Sequence, residues 1–249
     1  MAEASAALDE LALLVVRNLP QALLVVLVTL VVALVAKDVV NGMLRRPFLD
    51  PSKWQPLTLV DVKQLSHNTR RFRFALPHQE QVLGLPLGQH VSLKGTAEDG
   101  SEVMRPYTPT SETTHRGQGR FRYERGSKKA IGMLAGGSGI TPMFQVMQHI
   151  LKDPNDNTAL SLVYANVTGQ RGFLSLLLSA GGRVYYVLNN PPKGWQGGKG
   201  FVTADMIKKH LPAPGTDVLI LRCGPGPMNK AMEAHMDALG YTNGQQFQF

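Results

Sequence analysis

The chain has 249 residues, 43% hydrophobic and 18% charged, which excludes a disordered chain and suits one large or two small globular domains. Its single cysteine excludes an intramolecular disulfide, and its seven histidines, with no H-x-x-x-H pair, predict no protein-bound metal. The net charge of +8 arises entirely beyond residue 53. It favours anionic partners, with a merely well-solvated surface as the alternative. The sequence has no run of Lys and Arg interleaved with aromatic residues, so nucleic acid is the weaker prediction for the partner.

Residues 1–53 are predicted to form a tail, a membrane anchor and a linker. No charged residue occurs from Asn18 to Ala36, and this stretch approaches the ~20 residues needed to cross a bilayer, with a transmembrane helix expected from near Leu19. The acidic start argues against a signal peptide, and a buried core helix is the alternative. Basic residues after the span place the rest of the chain in the cytosol.

Residues 54–127 carry short strand patterns separated by Gly, Pro and Asp turns. This spacing is typical of a small antiparallel β-barrel or sandwich. The predicted strands are Leu57–Lys63, Arg70–Leu76, Gly88–Lys94 and Glu102–Thr108.

Residues 128–249 alternate apolar strands with helical patterns, which predicts a parallel sheet covered by helices on both faces. The predicted strands are Ala130–Ala135, Ala159–Ala165, Arg183–Leu188 and Asp217–Arg222. The predicted helices are Thr141–Leu151, Phe173–Leu178, Thr203–His210 and Pro227–Leu239.

The first candidate site is the segment R-P-Y-T-P-T-S at residues 105–111, at the end of a predicted strand. The planar guanidinium of Arg105 suits a diphosphate. Tyr107 can lie against an aromatic ring, and Thr108 can hydrogen-bond a ring nitrogen. On its own the segment is more often a proline-bounded turn with an incidental Arg.

The second candidate site is G-G-S-G-I-T-P at residues 136–142, between a strand and a helix. Its glycines let a ligand approach the backbone, and a helix N-terminus offers free N–H groups to a phosphate. Thr141 is the predicted N-cap and Pro142 the first helical residue. A tight strand-to-helix turn without a ligand is the alternative.

The third candidate site is C-G-P-G-P-M at residues 223–228, again after a strand and before a helix. Ligands of open α/β sheets bind at such strand ends. Cys223 is either a small apolar contact or a polarisable thiol beside a reacting ring.

These three segments in this order, with Phe247-Gln248-Phe249 after them, resemble the NADH–cytochrome b5 reductase family of ferredoxin-reductase-like flavoproteins over nearly all of residues 54–249. The resemblance implies an FAD-binding barrel over residues 54–127 and an NAD(P)H-binding α/β domain over 128–249. It implies electron transfer from NADH via FAD to an acidic, cytochrome b5-like haem protein. With the anchor and membrane lipid as a second partner, it implies a cytosolic catalytic part on the endoplasmic reticulum or mitochondrial outer membrane.

The resemblance also assigns site residues. Thr108, Thr141 and Cys223 are expected to act at the reacting rings. The residues expected to bind the cofactors are Arg105, Pro106, Tyr107, Thr108 and Ser111 for FAD, Gly136, Gly137, Gly139 and Thr141 where flavin and nicotinamide meet, and Cys223, Gly224, Pro225 and Met228 on the nicotinamide side.

The chain departs from the family pattern in three places. After Ser111 the family continues through two more strands and a G-x-x-S loop that cradles the FAD diphosphate, whereas here residues 112–119 lead directly to a segment resembling the barrel's end. The barrel is therefore predicted to be incomplete. A second segment is missing after Thr168. Asn189 stands where many relatives carry an Asp that hydrogen-bonds an adenosine ribose hydroxyl. Asn lacks the negative charge that would repel the 2′-phosphate of NADPH, so the sequence predicts a preference for NADH less strongly than an Asp would.

Two other functions stay open from the sequence. A chain with an incomplete barrel could be a non-catalytic isoform that does not retain FAD. An active reductase could serve another acceptor, such as a quinone or the ascorbyl radical.

Overall fold

The computed structural model of the protein describes residues 13, 21–44, 47–66, 69–78, 81–111, 119–168 and 182–249. Within those ranges lie an N-terminal helix, two small antiparallel sheets and one six-stranded sheet. The helices are α1 (Gln21–Leu44), α2 (Ile140–Lys152), α3 (Ala204–His210) and α4 (Gly226–Ala238). The strands are β1 (Thr58–Ser66), β2 (Thr69–Ala75), β3 (Val91–Thr96), β4 (Glu102–Tyr107), β5 (Ala130–Gly136), β6 (Ala159–Asn166), β7 (Arg183–Leu188), β8 (Gly198–Lys199), β9 (Val218–Cys223) and β10 (Gln246–Gln248).

Helix α1 occupies the region predicted as a membrane anchor. Among the described residues, no helix combines the length and apolar character that crossing a membrane requires. The predicted transmembrane helix is therefore not found. Its expected start near Leu19 lies outside the described residues.

The segment predicted as a barrel forms two separate hairpin sheets in its described part. Strand β1 pairs with β2, and β3 pairs with β4, both antiparallel. In the first sheet Val62 lies opposite Phe72, and Leu59 lies opposite Phe74. Leu59, Val62 and Phe72 are 47%, 49% and 46% exposed, so this apolar face is largely uncovered. The prediction of four strands that do not close into a barrel agrees with this arrangement.

The six-stranded sheet is parallel throughout, in the order β10-β9-β5-β6-β7-β8. Strand β5 lies inside the sheet, between β9 and β6. Its residues from Ile131 to Gly136 are buried on both faces, as continuous apolar runs in parallel sheets usually are. Helix α2 packs on one face and helices α3 and α4 on the other. The predicted α/β architecture is therefore present.

The two parts of the chain share one of these cores. Leu87 and Phe121, from the hairpin part, are buried in the same cluster as Met143 and Ile150 of α2. The Phe121 ring lies 5.2 Å from that of Phe249. The hairpin part is thereby packed against the α2 face of the parallel sheet.

Candidate functional site

A large cleft, of about 1470 Å³, lies where the hairpin sheets meet the carboxyl ends of β5 and β6. It is lined on the hairpin side by Phe72, Phe74 and Tyr107, and on the sheet side by Gly137 and Thr141. Ligands of parallel α/β sheets bind outside the carboxyl ends of the strands. The cleft therefore lies where the fold places a cofactor site.

The segment at residues 105–111 is only partly in the cleft. Tyr107, Thr108 and Ser111 line it, and Tyr107 is 46% exposed. Arg105 and Pro106 are not among the lining residues. The Arg105 guanidinium is exposed and donates a hydrogen bond to the Met104 carbonyl at 2.8 Å, so the predicted contact of Arg105 with a diphosphate stays a prediction.

The segment at residues 136–142 begins inside the sheet and ends in the cleft. Gly137 has a φ of +55° and no atom within 4 Å of the position a Cβ would take, so its backbone is open to a ligand. Thr141 donates a hydrogen bond to the Ser138 carbonyl at 3.0 Å. The prediction that Thr141 caps α2 is wrong, because a 3₁₀ turn over Gly137–Gly139 runs directly into the helix and Gly139 is the N-cap.

The segment at residues 223–228 does not line the cleft but supports the segment that does. A Cβ on Gly139 would lie 2.1 Å from the carbonyl oxygen of Cys223, and one on Gly136 would lie 2.3 Å from the Met228 sulfur. At position 139 the neighbouring atoms are backbone and glycine is required, whereas a side chain at position 136 would first have to displace the Met228 side chain. Gly224 and Pro225 belong to the same contact, since Gly136 packs against both.

Burial raises the pKa of the Cys223 thiol. The thiol therefore stays protonated at neutral pH, because a desolvated thiolate is disfavoured. A protonated thiol is compatible with both roles predicted for Cys223, the apolar contact and the polarisable thiol beside a reacting ring.

Sequence reasoning missed Tyr164 and Asn166, at the carboxyl end of β6. Both line the cleft, and the Tyr164 hydroxyl donates to the Gly137 carbonyl at 3.2 Å. Burial raises the pKa of Tyr164, and the hydrogen bond from Asn166 partly offsets this. The rule that ligands bind at strand ends could have found both, because β6 pairs directly with β5.

Two protein-family models match the chain. Residues 56–123 match the oxidoreductase FAD-binding domain family, and residues 133–234 match the oxidoreductase NAD-binding domain family. The chain is 44% identical to NADH–cytochrome b5 reductase 1 of Arabidopsis thaliana, over 82% of this chain and 87% of that protein. The chain belongs to the NADH–cytochrome b5 reductase family.

Further relatives support this membership. NADH–cytochrome b5 reductase 1 of Dictyostelium discoideum is 41% identical, over 81% of this chain and 83% of that protein. The cytochrome b5 reductase domain of Ulva prolifera nitrate reductase superposes with a TM-score of 0.74 at 30% identity, over 82% of this chain and all of that chain. As a family member the protein is an oxidoreductase that uses FAD and NADH.

The alignment with the Arabidopsis reductase also bears on the predicted missing segments. It runs over 244 positions but uses only 82% of the 249 residues of this chain, which is about 204. About 40 positions of the plant reductase therefore have no counterpart here. This agrees with the prediction that internal segments present in the family are missing from this chain.

The cleft fits these cofactors in volume and in charge. Its volume exceeds the 300–1,000 Å³ that is usual for small-molecule sites. Arg70, Arg71 and Arg73 line it and suit the negative charge of a diphosphate. FAD, when bound, would supply the redox chemistry. The reductase itself supplies position: Tyr107, Thr108 and Ser111 would hold FAD, and Gly137 and Thr141 would lie towards NADH.

Proposed function

We propose that this reductase is attached to a membrane by its N-terminal segment and passes electrons from NADH, via FAD, to a small acidic haem protein of the cytochrome b5 type. The observation that carries the proposal is the identity of 44% with a reductase named for cytochrome b5, over most of both chains. The charge distribution supports the same acceptor class.

The catalytic part has the charge that an acidic acceptor would need. All of the net charge of +8 arises beyond residue 53. Strand β2 alone carries Arg70, Arg71 and Arg73, each exposed. Opposite charges steer two proteins into encounter and raise the association rate more than the final affinity.

A salt dependence tests the acceptor. The kcat/KM for soluble cytochrome b5 should fall steeply as ionic strength rises, because the screening length shrinks to about 8 Å at 0.15 M. A neutral quinone offered as acceptor is the matched control and should change little. A salt-independent kcat/KM for cytochrome b5, below that for the quinone, would assign the acceptor to the quinone class instead.

Helix α1 supports the membrane attachment. Its described Leu and Val side chains are exposed around the whole circumference, from Val31 at 51% to Val25 at 63%. A helix that is apolar on every side is covered either by protein or by lipid. Basic residues Lys37, Arg45 and Arg46 follow it, and by the positive-inside rule they support a cytosolic catalytic part. The endoplasmic reticulum or the mitochondrial outer membrane is the proposed location.

A further inference from the structure

Gln145 connects the two parts of the chain. It lies in α2 and is only 2% exposed. Its side-chain oxygen accepts a hydrogen bond from the Gly88 backbone N–H at 2.6 Å, and its amide nitrogen donates to the Pro109 carbonyl at 3.4 Å. One buried side chain of the parallel-sheet part thus holds two loops of the FAD-binding part.

Both loops are themselves constrained. Gly88 has a φ of +74°, and a Cβ there would lie 2.5 Å from the Phe249 ring and 3.1 Å from Phe121, so its loop is packed closely against aromatic rings. Pro109 directly follows Thr108, and both line the cleft. A shift of the Gln145 side chain would therefore move either a packed loop or the flavin segment.

Gln145 also lies on the same side of α2 as Thr141. Residues four apart on a helix share a face, and Thr141 is one of the residues of the glycine loop at 136–142 that line the cleft. We propose that Gln145 is a positioning residue that holds the flavin segment at 105–111 in register with the glycine loop. This role is independent of the physiological electron acceptor.

The variant Gln145→Glu keeps the shape of the side chain and makes the contact depend on pH. A protonated carboxyl accepts from Gly88 and donates to Pro109, as the amide does. An ionised carboxylate still accepts from Gly88 but cannot donate, and it faces the Pro109 carbonyl. Burial disfavours the charged form, so this carboxyl should titrate above its ordinary pKa of about 4.3.

The test measures the rate of flavin reduction by NADH in a single turnover, using the full chain in detergent with saturating FAD. Each variant's rate is divided by the wild-type rate at the same pH. Gln145→Glu should match the wild type near pH 5 and become slower as the pH rises towards 8, by about tenfold. Gln145→Met, of similar volume, should be slow at every pH. Gln148→Glu, on the same helix and half-buried, is the matched control and should give a flat ratio.

A measurement without turnover separates position from folding. Hydrogen exchange at the Gly88 amide should be faster in Gln145→Met, which offers no acceptor, and close to wild type in Gln145→Glu. The agreement of Gln145→Glu with the wild type at low pH shows that the variant folds. A pH-independent ratio for Gln145→Glu, or slow rates that only follow lost FAD, would overturn the proposal.

Discussion

The backbone of Gly139 lies against that of Cys223, two residues from different strand ends. A Cβ at position 139 would lie 2.1 Å from the Cys223 oxygen and 2.5 Å from its carbonyl carbon. Neither neighbouring atom belongs to a flexible side chain, so an alanine at 139 would force the two loops apart. The close backbone contact between Gly139 and Cys223, and with it the shape of the glycine loop, therefore depends on the absence of a side chain at position 139.

Cys223 should be a slow target for alkylation in the folded reductase. Burial raises the pKa of its thiol, and only the thiolate reacts, so the reactive fraction at pH 7.4 is small and grows as the pH rises. We expect iodoacetamide at pH 7.4 to modify the native chain at least about tenfold more slowly than the chain unfolded in urea. Cys223 is the single cysteine, so the mass of the intact protein reports it directly. Equal rates in the native and unfolded chains would contradict the burial.

The sequence locates some site residues and not others, for a physical reason. Gly137 and Thr141 follow a strand of the parallel sheet, where such sheets hold ligands, and Tyr107 lies in a recognisable segment at the end of β4. Gln145 carries no such signal, because a polar residue within an amphipathic helix looks like any other until the partner loops at Gly88 and Pro109 are in place. The position of the Arg105 side chain could not be predicted either, because the acceptor of its guanidinium hydrogen bonds is determined only in the folded chain.

At the scale of elements, the long strands and helices were predictable and the short ones were not. Strand β7 was predicted with the bounds it has, and the ends of the other strands and helices predicted beyond residue 53, within the described residues, lie at most three residues from those observed. The predicted helix Phe173–Leu178 lies outside the described residues. Strands β8 and β10 were missed because two or three residues carry no periodicity, and only their pairing with β7 and β9 makes them strands.

The uncovered hairpin face predicts weak FAD retention. The apolar face formed by Leu59, Val62 and Phe72 is about half exposed, so it contributes only part of the roughly 25 cal/mol per Å² that full burial would add to stability. Domains are stable by only about 5–15 kcal/mol, so the hairpin part should be marginal. We expect purified protein to lose FAD readily and to reduce ferricyanide with NADH more slowly than a full-length relative.

A graft tests this account. The two strands and the G-x-x-S loop of a relative, inserted between Ser111 and Arg120, should raise both FAD content and ferricyanide activity. A Gly/Ser linker of equal length at the same point should raise neither. If the ungrafted chain binds FAD tightly and turns over as a relative does, the missing segment is not what limits the reductase; if it never binds FAD, the non-catalytic alternative holds.

At the scale of the whole molecule, the N-terminal segment should decide the location. Carbonate extraction of membranes should leave the full chain in the pellet, because the apolar side chains of α1 are exposed and lose that exposure in lipid. Deletion of residues 1–45 should move the protein to the supernatant with its NADH-dependent activity unchanged per bound FAD. The full chain in the supernatant, or the deleted one in the pellet, would contradict the proposed attachment.

The order of strands in the parallel sheet has a consequence for biosynthesis. Central strand β5 pairs with β6, which follows soon after it, and with β9, which is made much later. Until β9 arrives, one edge of β5 lacks its hydrogen-bonding partners and Gly139 lacks the Cys223 backbone against which it packs. Pairings between segments that are distant in sequence form slowly. The flavin-competent cleft is therefore a late product of synthesis, and the nascent chain has to keep the apolar residues of β5 from aggregating in the meantime.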